Sequence, residues 1–319
     1  MAQKTRIGLG LAALGRPDYI NIRSHTDIDK SVDAFKTNTL KILDEAHKLG
    51  LRDFDVAPSY GLGEQFLLEW NKTRDHKDIR LSTKFGYTYV ANWEIGFKGK
   101  HEIKEHSLAK LNEQWEVSRA FLPRLNIYQI HSATLDSGVL TNTAVLSRLH
   151  ELKEKHNVKI GITSSGTAQE KIIQEAQKIA FDGVGLFDSY QVTFNIFEQS
   201  TSTILKELIA KEKTVIIKEA LANGRVLSNT NFKNYEVAYD YLEALSKKYD
   251  VGIDAIAIRF IMDDLEPTIV LSGASHIDHL KQNLKALDFG LNGDEIVQLK
   301  SFAISAQDYW NERSTLKWY

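Results

Sequence analysis

The stretch DFDVAPSYG, residues 53–61, ends a short apolar run on an acid and sets a phenol five residues further on. Two later stretches repeat the arrangement: RLSTKFG, residues 80–86, carries Lys84, and NIYQIHS, residues 126–132, carries His131. Asp55, Tyr60, Lys84 and His131 therefore fall at the carboxyl ends of short apolar segments, where α/β proteins with parallel strands place their sites. A polar residue at a strand end is by itself commonplace. The combination is chemically pointed. Tyrosine is a poor acid at its reference pKa of about 10. A neighbouring ammonium favours the phenolate and draws that pKa toward neutrality, and an aspartate keeps the ammonium charged and in place. The imidazole can orient a carbonyl by a hydrogen bond. The four side chains are a candidate proton-transfer apparatus, with Tyr60 expected to titrate nearer neutrality under the influence of Lys84.

Working outward, short β-rich runs alternate with longer amphipathic segments, the pattern of repeated βα units. Strands are predicted over 6–11, 54–56, 80–83, 127–131, 159–163, 185–191, 214–218 and 268–271. Between them lie helical patterns such as VDAFKTNTLKILDEAHKLG (32–50), with Gly50 as its stop, and TNTAVLSRLHELKEKH (141–156), with Thr and Asn at its start. Eight such units in this length fit a closed (β/α)8 TIM barrel better than a doubly wound sheet. No Pro-, Gly- or Ser-rich linker divides the chain, so residues 1–319 are expected to form a single domain. The longest irregular stretch, 86–105, has the length of a lid or binding loop.

Composition removes several classes of function. With 43% hydrophobic residues in a chain of 319 there is ample core, and a formal charge of -2 shows no basic excess for nucleic acid. Zero cysteines exclude disulfides, thiolate catalysis and cysteine metal sites. No zinc-protease or phosphate-loop pattern occurs, and no metal is expected. No apolar run is long enough for a membrane span and MAQKTRIGLG lacks a secretory core, so a cytoplasmic location is expected. GLGLAALG (8–15) is not a full dinucleotide fingerprint, because the third glycine spacing, the immediate helix and the later acid are not all present.

The chain as a whole resembles the aldo-keto reductases. The resemblance rests on GLGLAALG, DFDVAPSYGLGE (53–64), STKFG (82–86), IYQIHS (127–132), KIGITSS (159–165), QVTFN (191–195) and LSGASHIDHLKQN (271–283). It implies a barrel that binds NADPH or NADH at its carboxyl face, with Tyr60 as general acid in reduction and general base in oxidation. It implies further that Leu11, Ala12, Asp55, Thr163, Ser164, Gln191 and Lys218 contact the cofactor. Thr163, Ser164 and Gln191 match residues that hold the nicotinamide. Gly273, Ser275 and His279 match the positions around the 2′-phosphate, and Gln282 and Asn283 those around adenine.

Two departures matter. VIIKEALANGR (215–225) puts Lys218 or Glu219 where many relatives stack an aromatic ring on the nicotinamide. Gly273, Ser275 and His279 stand where relatives carry a cationic clamp, which lowers the expected discrimination against NADH. The family favours NADPH, and His279 and Lys281 could partly compensate. Trp93, Trp310 and Trp318, with Arg313, are the candidates for the substrate pocket. A carbonyl compound or a sugar is the expected partner. Three activities follow from the resemblance: NAD(P)H-linked reduction of an aldehyde or ketone, NAD-linked oxidation of an aldose to a lactone, and a non-catalytic role as a regulatory or redox-sensing subunit. The intact tetrad argues against the last, because binding alone does not need a perturbed phenol.

Overall fold

Parallel strands whose two faces are both covered read as near-continuous buried runs, and eight segments of this chain do so. In the computed structural model, which describes residues 5–19, 29–229 and 232–317, they close into a barrel. The strands are β1 (Arg6–Gly10), β2 (Asp53–Asp55), β3 (Arg80–Phe85), β4 (Leu125–Ala133), β5 (Lys159–Ser164), β6 (Ser189–Thr193), β7 (Thr214–Lys218) and β8 (Ile269–Ser272). Each pairs with its neighbours in sequence, and β8 returns to β1 through pairs such as Ile7↔Val270. The register follows the period-two pattern. Ile127, Ile216, Ile269 and Leu271 form a small cluster of their own, while residues such as Val215 and Ile217 join the larger layer between strands and helices.

The helices begin and end where short-range chemistry allows. Ser31 opens the helix Val32–Lys48 by accepting from the Ala34 amide at 3.3 Å, and Gly50 beyond its end takes φ +96°. Asn142 caps the helix Thr143–His156 in the same way, accepting from Val145 at 3.3 Å.

One strand expectation needs correction. The run predicted over 185–191 enters the barrel only at Ser189; Val184–Gly185 instead pairs back on Ala180–Phe181 through a turn at Asp182 and Gly183, both at positive φ. Leu186 and Phe187 are buried, which made the connection read as strand, but they pack outside the ladder. The irregular stretch 86–105 contains a hairpin, Tyr87–Tyr89 against Glu102–Lys104.

The amino ends of the strands are tied by charge. Asp53 on β2 meets Arg6 on β1 at 2.9 Å and Arg80 on β3 at 2.7 Å. Burial opposes ionisation of Asp53, but the two guanidinium groups prevail and its pKa is lowered. Nearby, His47 and His76 stack at 3.5 Å with planes 16° apart, and His47 Nε2 meets Asp78 Oδ1 at 3.0 Å. Near-parallel rings do not aim their nitrogens at one point, so the cluster reads as a stack joining the end of a helix to the entry of β3.

At the carboxyl ends, the loop after β1 supports the turn that carries Tyr60. The Leu62 amide donates to the Gly15 carbonyl at 2.7 Å, and a Cβ placed on Gly15 would lie 2.0 Å from the Tyr60 carbonyl oxygen and 2.6 Å from the Gly63 amide nitrogen. Both obstacles are backbone. Gly15→Ala is therefore expected to destabilise the fold by about 1–3 kcal/mol, the usual cost of overpacking, read as a lowered denaturant midpoint. An unchanged midpoint would show that the Tyr60 turn moves freely away from β1.

Candidate active site

An acid at the end of a short buried strand must find donors, and Asp55 finds them on three other strands. Its Oδ2 lies 2.5 Å from Lys84 Nζ on β3, and its Oδ1 accepts from Ser82 at 2.6 Å, Gln191 on β6 at 3.0 Å and Gln129 on β4 at 3.3 Å. Lys84 is fully buried and also donates to the Val56 carbonyl at 2.8 Å. Burial pulls the Lys84 ammonium down and Asp55 holds it up, with a net lowering. Tyr60 stands over this pair, its ring centroid 5.0 Å from Lys84 Nζ. The His131 ring meets it edge-on at 5.7 Å and 84°. The four expected residues are brought together.

Their electrostatics differ from the sequence expectation at Tyr60. Burial raises its pKa well above the ordinary value, and the Asp55 charge and Tyr19 raise it further; Arg16 is the cation that opposes them. Lys84 does not draw the phenol toward neutrality, because its charge is largely answered by Asp55 at contact distance. Tyr60 is therefore held protonated. His131 is held neutral, first by burial and then by the charges of Lys84, Lys218 and Arg16.

His131 owes its aim to a local irregularity. The β4–β5 register breaks between Ile130 and Ala133, and Ser132 takes φ +44°. A serine in that region is unusual, and its surroundings fix it: its amide donates to Thr163 Oγ1 at 2.6 Å, and its carbonyl accepts from Lys104 at 3.1 Å. The His131 carbonyl accepts from His106 Nε2 at 2.8 Å. Burial lowers the His106 pKa to about 4, so that ring is neutral and Nε2 carries its proton.

These groups open into a cleft of about 670 Å³ running across the carboxyl ends of the strands. Of the expected residues, Tyr60, His131, Asp55, Thr163, Gln191 and Lys218 line it at one end, and Gly273, Ser275, His279 and Asn283 at the other; Ala12 lines it too. Lys84 lies behind Asp55, Leu11 is wholly buried, Ser164 is buried with its hydroxyl unpartnered among the described residues, and Gln282 is exposed outside the lining. Asn283 holds its amide nitrogen 2.6 Å from Asp254 and its oxygen 2.7 Å from Ser272 Oγ. Trp93 is not a pocket wall. It donates to the Lys30 carbonyl at 2.7 Å and packs edge-on against Phe35 at 5.3 Å, so it buttresses a lining residue from outside. Trp310 packs beside Tyr309 rather than on the cleft, Arg313 does line it, and Trp318 lies outside the described residues. Lys281 turns to Glu45 at 3.6 Å, away from the lining, so it does not compensate for the missing clamp.

Sequence reading missed Arg16, the hairpin residues Tyr87, Glu102 and Lys104, and Asp254, all of which line the cleft. Arg16 was findable, since it sits in the loop after a barrel strand; its guanidinium lies 5.3 Å from the Tyr60 ring centroid. The others depend on how loops and a helix start fold back.

Beyond β7 the cleft wall is held by a buried network. Glu219 meets Arg313 of the helix Ala306–Ser314 at 2.5 Å, and Arg225, fully buried, donates to Glu312 and to the Tyr309 carbonyl, each at 3.1 Å.

A sequence model of the Aldo/keto reductase family matches residues 6–304. Among curated proteins, the uncharacterized oxidoreductase YqkF of Bacillus subtilis is 23% identical over 284 residues, 83% of this chain and 88% of its own. D-threo-aldose 1-dehydrogenase of a Pseudomonas species is 24% identical over 274 residues, 76% and 80% respectively. Among solved structures, the glycerol dehydrogenase AKR11B4 of Gluconobacter oxydans superposes with a TM-score of 0.72 at 19% identity, over 94% of this chain and 91% of that one, a likeness that carries the fold.

The Glu219–Arg313 contact has an acid signature. Burial opposes ionisation of Glu219, but the Arg313 and Lys218 charges prevail and lower its pKa from 4.5 to about 2. A depressed carboxyl contributes stability that is complete above pH 4.5 and is lost as pH falls toward about 2. The difference in melting temperature between wild type and Arg313→Met should therefore shrink across that window. A difference that stays constant from neutral pH downward would show that the pair contributes no linked stability.

Proposed function

We infer, since the chain belongs to the aldo/keto reductase family and these are NAD(P)H-dependent oxidoreductases, that it reduces a small polar aldehyde or ketone with Tyr60 as the proton donor. The observation that carries this reading is the placement of Tyr60 and His131 on one cleft above the buried Lys84–Asp55 pair, where burial favours the protonated phenol and the neutral imidazole. The residues fit a nicotinamide dinucleotide. Ser164 at the end of β5 has a buried hydroxyl with no partner among the described residues, Thr163 and Gln191 line the adjoining cleft, and the cleft continues to Ser272, Ser275 and Asn283. Bound there, the nicotinamide supplies the hydride. Tyr60 donates its proton to the carbonyl oxygen as negative charge develops on it, and His131 steadies the same oxygen by a hydrogen bond. The phenolate left behind has its ring centroid 5.0 Å from the Lys84 ammonium, which Asp55 keeps charged and fixed. Oxidation of an aldose, the reaction in the name of the Pseudomonas relative, would need Tyr60 as a base. Burial keeps the Tyr60 proton in place, which is the state the donor role starts from.

For the cofactor, the charge balance at the far end of the cleft supports acceptance of NADH alongside NADPH. Gly273, Ser275 and His279 are joined there by the Asp254 carboxylate, which repels a 2′-phosphate.

Tyr60→Phe removes the proton and little volume. Turnover should fall by the ~10²–10⁴ typical of a lost general acid while the dissociation constant for the cofactor is retained. Full activity in that variant would overturn the assignment.

Ser275→Arg restores a cationic donor, so it should tighten NADPH by about 1–3 kcal/mol and leave NADH nearly unchanged, as read by fluorescence titration. A wild-type preference for NADPH of about a thousandfold, some 4 kcal/mol, would show that other residues grip the phosphate.

A further inference from the structure

Lys218 ends β7 beside the residues proposed to seat the nicotinamide. Gln191 on β6 is in register with Thr163 on β5, and two residues on, Thr193 is in register with Lys218. Lys218 Nζ donates to Thr193 Oγ1 at 2.6 Å and to Ser165 Oγ at 3.0 Å, both neutral hydroxyls. The charged groups around it are otherwise committed. Glu219, its neighbour on the same strand end, closes on Arg313 of the helix Ala306–Ser314. Asp55 on β2 closes on Lys84 of β3. Lys218 lines the cleft with an ammonium that, among the described residues, no carboxylate contacts, and its charge reaches far enough to help hold His131 neutral.

We propose that Lys218 sets which redox state of the cofactor the site prefers, its ammonium disfavouring the cationic oxidised nicotinamide while leaving the neutral reduced ring unaffected. The proposal rests on the reading of the cleft as a nicotinamide site. Two like charges several ångströms apart in a partly dehydrated cleft cost on the order of 10- to 100-fold in affinity. The reduced cofactor therefore binds more tightly than the oxidised one. Hydride transfer turns a tolerated ring into a repelled one and speeds its departure, so the same side chain favours the reductive direction. Burial lowers the Lys218 pKa to about 8, with Glu219 and Asp55 opposing that shift and Arg313 and Lys84 adding to it. The preference is thus fully present below that pH and fades as the ammonium is lost above it.

The test is the pair of dissociation constants for NADH and NAD⁺, measured without substrate at about pH 6.5 and about pH 9.5, either side of the Lys218 transition. Wild type should show a ratio of NAD⁺ to NADH constants that falls between the two pH values. Lys218→Met should lower the ratio by about 10- to 100-fold at the acidic pH and abolish its pH dependence. Lys218→Arg, which stays charged, should keep the ratio high at both. An unchanged ratio in Lys218→Met, or an equal weakening of both nucleotides that marks Lys218 as a phosphate anchor, overturns the proposal. If wild type binds neither nucleotide, the reading of the cleft fails first, and this proposal with it.

Discussion

A lysine ammonium and an aspartate carboxylate, 2.5 Å apart with the amine wholly out of water, set the terms for the rest of this molecule. Buried ion pairs recover the cost of dehydration only when the remaining lone pairs and protons are also met. Here Ser82, Gln129 and Gln191 meet the second oxygen of Asp55, and the Val56 carbonyl takes a further proton of Lys84. Those partners come from β3, β4, β6 and the residue that follows β2. A one-residue slip in any of these strands would turn a donor to the opposite face and leave a charge unmet. The barrel's register and its polar centre are therefore specified together.

The same interior decides the acid–base state of the site, and here two influences compete. Neighbouring charges act on Tyr60 and His131 with either sign, whereas burial always disfavours the charged form. Because Lys84 is largely neutralised by Asp55, burial wins at Tyr60; at His131, burial and three cations act in the same direction. The outcome is a phenol that keeps its proton and an imidazole that does not gain one.

That result explains what could be read from the sequence and what could not. Most of the barrel strands, with Asp55, Lys84 and His131 toward their carboxyl ends and Tyr60 in the turn after β2, announce themselves through local pattern, because apolar runs, caps and strand-end polar groups are written in adjacent residues. The direction of the Tyr60 shift was misread because it depends on distances between β2, β3 and the turn at Tyr60, which no local pattern encodes. The region around 185–191 failed for a related reason: Leu186 and Phe187 are apolar for packing, not for pairing. Asp254 and the hairpin residues of the cleft become visible only once a helix start and a loop are folded back over the barrel mouth. Trp93 shows the reverse error, an aromatic in a long loop that packs against the lining residue Phe35 instead of walling the cleft itself.

The hairpin Tyr87–Tyr89 and Glu102–Lys104 lines the cleft, yet Lys104 and the adjoining His106 also hold the two carbonyls of the His131–Ser132 bulge. In many barrel proteins a loop over the mouth is an exchangeable part, free to diversify while the scaffold stays constant. In this one, a part of the cleft wall is fastened to the strand end that carries His131. Divergence of specificity is thereby confined to substitutions that preserve those two grips. A loop transplanted from a relative would carry the new selectivity into a working barrel only if it brought an amine and a ring nitrogen to the same two oxygens.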